Sequence, residues 1–283
     1  MRLLAAFVMA LCVTASAQPV APAGLPPLPR LTSPRLYVLD CGTIISHEPE
    51  RFGLRREDVS DPDFSDPCFL VMHPRGVLLF DTGLTDAQVG RPIYENKSGY
   101  EGLLKTTTLK GELANIGLTP AAITYLAISH SHWDHVGNGN AYAGSTWLAR
   151  KAEYDVMFGA TVNDAAKSNY AALAHAKIQY IEGDHDVFGD GSVVLLSTPG
   201  HTPGHQSLYV KLTNTGGVVV SGDLYHYPAE RLQGKMPARE YASGTPQSRK
   251  KIDDFLTRTH SQLWIGHSID WYRDAVKAPG WYD

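Results

Sequence analysis

Ile128–Asn140 reads ISHSHWDHVGNGN. Within six positions it places His130, His132, Asp134 and His135, directly after the apolar run ITYLA. A single histidine is ordinarily a surface or core residue. Four imidazole or carboxylate groups at this density, delivered by a short buried strand, point to a metal site. The same event recurs downstream. STPGH presents His201 after an apolar strand, VVVSGD presents Asp223 after another, and LWIGH presents His267 after the last. Strand ends on one edge of a sheet converge, so these seven side chains can meet.

Imidazole and carboxylate suit borderline divalent ions, zinc first among them. Seven ligands exceed what one tetrahedral ion takes. They suit two divalent ions, most simply two Zn2+, with a shared carboxylate and open positions for water. We assign His130, His132 and His201 to the first ion and Asp134, His135 and His267 to the second. Asp223 bridges them, because one carboxylate has two oxygens. No ligand is a cysteine, which disfavours a purely structural zinc site.

The rest of the chain sets bounds. Its 283 residues are 43% hydrophobic, enough for a full core. With a formal net charge of -4 and no Lys/Arg run, nucleic acid is disfavoured as a partner. The first residues, MRLLAAFVMALCVTASAQ, combine a basic Arg2, an apolar stretch too short to span a bilayer and an Ala-Ser-Ala cleavage site. We expect a signal peptide over 1–17, a Pro/Ala-rich leader over 18–34 and one domain over 35–283. The mature chain would be periplasmic or secreted, with no membrane insertion after cleavage. Cys41 and Cys68 then remain. Each sits at one end of an expected strand. They form a disulfide or stay as two buried thiols, and spacing alone does not choose.

Strands are expected at Leu36–Leu39, Phe69–Met72, Gly76–Gly83, Ser145–Ala149 and in four β-rich runs between 177 and 223, with QLWIGHS closing the chain. Helices are expected over 103–116, 150–158, 163–176 and 245–259, the last with Thr245 as N-cap. Ser46–Pro67 reads as a long polar loop. This pattern predicts an α/β chain with two sheets covered by helices.

HSHWDH resembles the HxHxDH signature of the metallo-β-lactamase superfamily, and His201, Asp223 and His267 match its later ligands in order. FDTG, TPGHTPGHQSL and the late GH fall where that fold has them, so the resemblance spans nearly all of the mature chain. It implies a four-layer αβ/βα sandwich, two mixed sheets with helices outside and the metals at one edge. It also implies that Asp81 is a buried acid orienting the ligand loop, against the alternative of a turn-capping acid.

Within that superfamily, the segment from Glu182 to Leu212 is most similar to N-acyl-homoserine lactonases. An exported dinuclear hydrolase opening lactones or esters is the expected function. Broad esterases or phosphotriesterases and glyoxalase II-type thioesterases are the alternatives, with a β-lactamase or an iron redox enzyme further off. The substrate is a small molecule, and a homodimer stays open. The expected mechanism is attack on the carbonyl carbon by a hydroxide held between the ions. Asp134 and Asp223 would hold the ions and pass the proton to the leaving oxygen.

One departure stands out. The lactonases usually carry a tyrosine three positions after the bridging Asp. Here that position is His226, with Tyr225 before it. Both are candidate catalytic donors, and a surface position for His226 is the alternative. His205 is expected to orient a ligand or to lie on a strand face. Trp133 is expected to pack rather than to wall the pocket. Phe52, Phe64, Tyr94 and Tyr100 are candidates for an acyl groove.

Overall fold

The structure, a computed structural model, describes residues 31–91 and 100–283. The expected signal peptide, most of the leader and Tyr94 lie outside the described residues. One sheet has seven strands: β1 (Arg35–Ile45), β2 (Phe64–His73), β3 (Gly76–Phe80), β4 (Gly102–Leu104), β5 (Tyr125–Ala127), β6 (Thr146–Ala149) and β7 (Lys177–Tyr180), in the order β4-β1-β2-β3-β5-β6-β7. The other has five: β8 (His185–Asp186), β9 (Val193–Ser197), β10 (Gln206–Lys211), β11 (Gly217–Val220) and β12 (Gln262–Trp264), in the order β12-β11-β10-β9-β8. Both are mixed. β1, β2 and β3 pair antiparallel while β3, β5, β6 and β7 run parallel; in the second sheet only β11 and β12 are parallel.

Side-chain alternation explains the layering. Leu36, Val38, Phe69, Val71, Leu78 and Phe80 face the second sheet and meet Leu195, Leu208, Val210, Val218, Val220 and Trp264 there. Their neighbours Tyr37, Leu39, Leu70, Met72, Val77 and Leu79 face outward, against Leu109 and Leu113 of the Leu109–Asn115 helix. Val219, Leu196 and Tyr209 on the far face of the second sheet pack on Ile252 and Leu256 of the Thr245–Thr259 helix. The result is the expected αβ/βα sandwich. Among the described residues no helix is long and apolar enough to cross a membrane.

Several boundaries differ from expectation. The helix expected over 103–116 begins only at Leu109. Gly102–Leu104 pairs with β1, and the Thr108 side chain caps the helix by accepting from Gly111 N–H at 2.9 Å. The helix expected over 163–176 breaks into Asp164–Lys167 and a 3-10 turn at Ala171–His175. Asn140 intervenes: its amide donates to the Ser168 carbonyl and its carbonyl accepts from Ala172 N–H. Thr245 is not an N-cap, because its hydroxyl donates to Glu240 and the helix is preceded by Gly244. The Ser46–Pro67 loop is not simply polar. Phe52, Leu54, Val59 and Phe64 bury one another with Ile44 and Leu84 in a small core of their own.

Cys41 and Cys68, both fully buried, form a disulfide across 27 residues. It lies against Gly83, where a Cβ would come within 2.2 Å of the Cys41 Cβ, and φ there is +62°. Only glycine fits that turn.

Candidate metal centre

Every candidate ligand leaves the C-terminal end of a strand. β5 leads to His130, β9 to His201, β11 to Asp223 and β12 to His267. β3 delivers Asp81 beside them, in the left-handed region at φ +64°. After His132 the chain turns into a one-turn helix, Trp133–Val136. That turn places Asp134 and His135 on a different side from His130 and His132.

Two groups result. Ligand atoms of His130, His132, His201 and Asp223 lie within 4.8 Å of one another, as do those of Asp134, His135 and His267. His132 Nδ1 sits 2.9 Å from His130 Nε2 and 3.1 Å from His201 Nε2. Asp223 divides its oxygens between the groups. Oδ2 faces His130 Nε2 at 3.5 Å and His201 Nε2 at 3.4 Å; Oδ1 faces His135 Nε2 and His267 Nε2, each at 3.1 Å. Asp134 Oδ2 is 3.7 Å from both His135 and His267.

The donor set fits a pair of divalent ions. It consists of imidazole nitrogens and carboxylate oxygens, all convergent and most of them buried. His135 Nε2 and Asp223 Oδ1 are buried without a hydrogen-bond partner. Orphaned buried polar atoms are costly unless something satisfies them, and a cation at each group would do so.

The outward nitrogens of His201, His135 and His267 are held, which aims the others inward. His201 Nδ1–H donates to Glu240 Oε1 at 2.8 Å, His135 Nδ1–H to Asp81 Oδ2 at 3.0 Å, and His267 Nδ1–H to the Ser65 carbonyl at 2.8 Å. Asp81 also accepts from Ser129 N–H at 2.6 Å, so it orients the ligand loop as the resemblance implied. His205 is fully buried, with Nδ1 against the Thr198 carbonyl, and its Nε2 accepts from Asp223 N–H at 3.0 Å. It positions the backbone of the bridging acid rather than a ligand side chain. Gly222 leaves room for that ring, since a Cβ would lie 2.7 Å from His205 Nε2.

Electrostatics separate the two groups. Burial holds His130, His132 and His201 below the ordinary histidine range, and His205 at about 3. Burial opposes the charged form of His135 and His267 as well, but carboxylates, Asp223 foremost, outweigh it and raise both. Beneath the second group lies Asp66, pushed up to about 7 by burial and by the charge of Asp134.

A cavity of about 200 Å³ opens over the metal groups. His226 lines it, which corrects the surface alternative: it is buried, with Nε2 3.3 Å from Asp223 Oδ2 and Nδ1 3.3 Å from Glu230 Oε2. Glu230 also accepts from His226 N–H and is paired with Arg249 at 3.0 Å. Burial disfavours the imidazolium, but the Glu230 and Asp223 carboxylates prevail and lift it to about 10. Tyr225 does not reach the cavity. In extended backbone, successive side chains point apart; Tyr225 is buried with Leu196 and Ile252, its ring 4.2 Å from the Arg249 guanidinium. Trp133 corrects the packing expectation, being 38% exposed and part of the cavity wall. Phe52 and Tyr100 line the cavity, whereas Phe64 lies behind it, against His226 and His267.

Three buried glutamates around the site escaped sequence reasoning: Glu153, Glu230 and Glu240. Glu153, on the Lys151–Phe158 helix, accepts from Ser131 N–H at 2.7 Å, from the Thr202 hydroxyl at 2.7 Å and from Gly204 N–H at 2.9 Å. It straps the His130–His132 loop to the His201 loop. No spacing relative to the histidines marks any of the three. The only cue is an acid inside a segment otherwise expected to be buried.

Comparison with known proteins agrees with this geometry. A profile of the Metallo-beta-lactamase superfamily matches residues 62–264. The N-acyl homoserine lactonase AttM of Azorhizobium caulinodans is 27% identical over 278 residues, covering 89% of this chain and all of that protein. The N-acyl homoserine lactonase AiiA of Bacillus thuringiensis subsp. kurstaki is 29% identical over 212 residues, 72% of this chain and 81% of that one. A crystal structure of a B. thuringiensis AiiA variant with N-decanoyl-L-homoserine bound at its active site superposes with a TM-score of 0.73 at 22% identity, over 89% of this chain and all of the other. The chain is a metal-dependent hydrolase and belongs to the metallo-beta-lactamase superfamily.

Proposed function

We propose that this protein opens the ester bond of lactones, N-acyl-homoserine lactones foremost, using two zinc ions held by the seven residues above. One observation carries the reading: the Asp223 carboxylate turns one oxygen to each ligand group at the floor of a cavity sized for a small carbonyl substrate. The similarity to two N-acyl homoserine lactonases supports the substrate class.

What divalent ions supply when bound is a water acidified to roughly pKa 7 and polarisation of the carbonyl oxygen. The chain supplies the rest. Asp223 stands within reach of both groups and Asp134 beside the second, and either can take up the proton released as water adds to the acyl carbon. His226 Nε2 faces the cavity beside Asp223 and holds a proton there, with Nδ1 fixed by Glu230. It occupies the position of the lactonase phenol and donates to the leaving alkoxide as the acyl C–O bond breaks. Phe52 packs against it, ring centroids 4.3 Å apart with the planes inclined at 47°, and restricts its rotation.

Export is part of the proposal. The Cys41–Cys68 disulfide supports an oxidising compartment, in keeping with the expected leader. The test is a substrate panel on purified, zinc-loaded protein: acyl-homoserine lactones, simple lactones, aryl esters, a phosphotriester, a glutathione thioester and a β-lactam. Turnover of lactones above the rest is expected. Turnover of only the thioester or the β-lactam would overturn the reading.

A further inference from the structure

The support under the two metal groups is not symmetric. Glu240 and Glu153 brace the first group from the Ala238–Glu240 turn and the Lys151–Phe158 helix. The second group stands on the turn after β3 and on the start of β2. Asp81 of that turn holds His135 Nδ1. Thr82 N–H donates to the His135 carbonyl at 2.8 Å, and the Gly83 carbonyl accepts from Gly137 N–H at 2.9 Å. Ser65 of β2 holds His267 Nδ1 through its carbonyl, and its hydroxyl donates to the Gly266 carbonyl at 2.7 Å. Asp66 joins the two supports by accepting from Leu84 N–H at 2.8 Å.

The disulfide sits where these supports meet. The β1–β2 ladder shifts register between Asp40 and Thr43, so Cys41 and Gly42 face Asp66 alone. Ladder hydrogen bonding is disrupted at such a bulge, and there Cys41 is bonded to Cys68. Gly83 rests on both sulfurs: a Cβ at that position would lie 2.9 Å from Cys41 Sγ and 3.0 Å from Cys68 Sγ. The buried Lys105 ammonium donates to the carbonyls of both Cys41 and Leu84. The covalent link therefore fixes the turn that carries Asp81 against the strand that carries Ser65.

We propose that the Cys41–Cys68 disulfide positions the second metal group, and that forming it raises the affinity for the second ion while leaving the first nearly unchanged. This rests on the two-zinc reading above.

The test compares the wild-type chain produced with both thiols reduced and the same protein after oxidation by glutathione disulfide. That oxidant takes up both thiol hydrogens, leaves as two glutathione thiols and is removed by desalting. Chelator competition then reads the two zinc affinities separately. The second should be about tenfold weaker in the reduced protein, the lower end of the loss when a ligand's support is removed, and the first should change by less than about twofold. Oxidation should restore the second. Cys41→Ala combined with Cys68→Ala should match the reduced protein and ignore the oxidant. Val210→Ala controls for stability: it is buried at the end of the second sheet opposite the metal groups, paired with Val193 and Val218. It should lower the melting temperature without separating the two affinities. A parallel loss of both ions on reduction would overturn the positioning role. Two zinc ions held equally well with and without the disulfide would overturn it alone, whereas a single zinc per oxidised chain would sink the two-ion reading together with it.

Discussion

The floor and the rim of the cavity are built differently. On the floor, four of the ligands are braced by buried partners: Glu240 behind His201, Asp81 behind His135, the Ser65 carbonyl behind His267, His205 beneath Asp223. At the rim, Trp133 and Arg239 project with much of their surface in water, and Arg239 is held mainly through its neighbour Glu240. Such bracing suits a pair of divalent ions, whose ligands tolerate little error in position. The rim can vary without disturbing it. Chemistry and substrate choice are thereby placed on separate parts of one cavity.

Substitutions can break or sharpen that division. The largest effect is expected on the floor at its one shared residue. Asp223→Ala should lower the bound zinc to less than one ion per chain by mass spectrometry of the metal, with activity down by more than about 10³-fold, at least the scale of removing one strong active-site stabiliser. Normal zinc content in that variant would contradict the bridging role. His226→Phe should keep both ions and lose on the order of 10²-fold in kcat, as for a lost proton donor. Restored turnover in His226→Tyr would mark the position as a donor site rather than a packing site.

The braces come next. Glu153→Gln and Glu240→Gln should each weaken zinc binding by about 10- to 100-fold in a chelator competition, with an unchanged circular dichroism spectrum. If the spectrum changes as much as the affinity, the carboxylate serves the fold and not the site. The smallest effect belongs to the rim. Trp133→Ala should change KM a few-fold, roughly 1 kcal/mol of apolar contact, and leave kcat and zinc content alone. A collapse in kcat would erase the distinction between the regions.

The same division governs what could be read from the sequence. The floor was legible because its ligands share a chemical type and follow apolar runs, so His130, His201, Asp223 and His267 announce themselves at strand ends. The sandwich was legible because β1, β2, β3 and β11 carry short, near-continuous apolar runs, as strands buried on both faces do. The braces were not, since a glutamate such as Glu153 earns its place by contacts to Ser131 and Gly204, 22 and 51 residues away. The rim failed for a related reason. Trp133 sits inside the ligand motif and looks like packing, yet the one-turn helix at Trp133–Val136 turns it outward. Helix ends erred where side chains such as Asn140 claim backbone groups from another segment.

The stretch after Asp223 has a consequence for how such a cavity changes its contents. Tyr225 and His226 are adjacent in an extended backbone, one turned into the packed layer and one into the cavity. Which of them meets substrate is a matter of register, counted from the bridging acid. One residue inserted between Asp223 and Tyr225 would bring a phenol to the third position and displace the imidazole, with no change in any metal ligand. In this fold a single-codon insertion can therefore exchange one proton donor for another, as the substitution His226→Tyr would, and neither change touches a metal ligand.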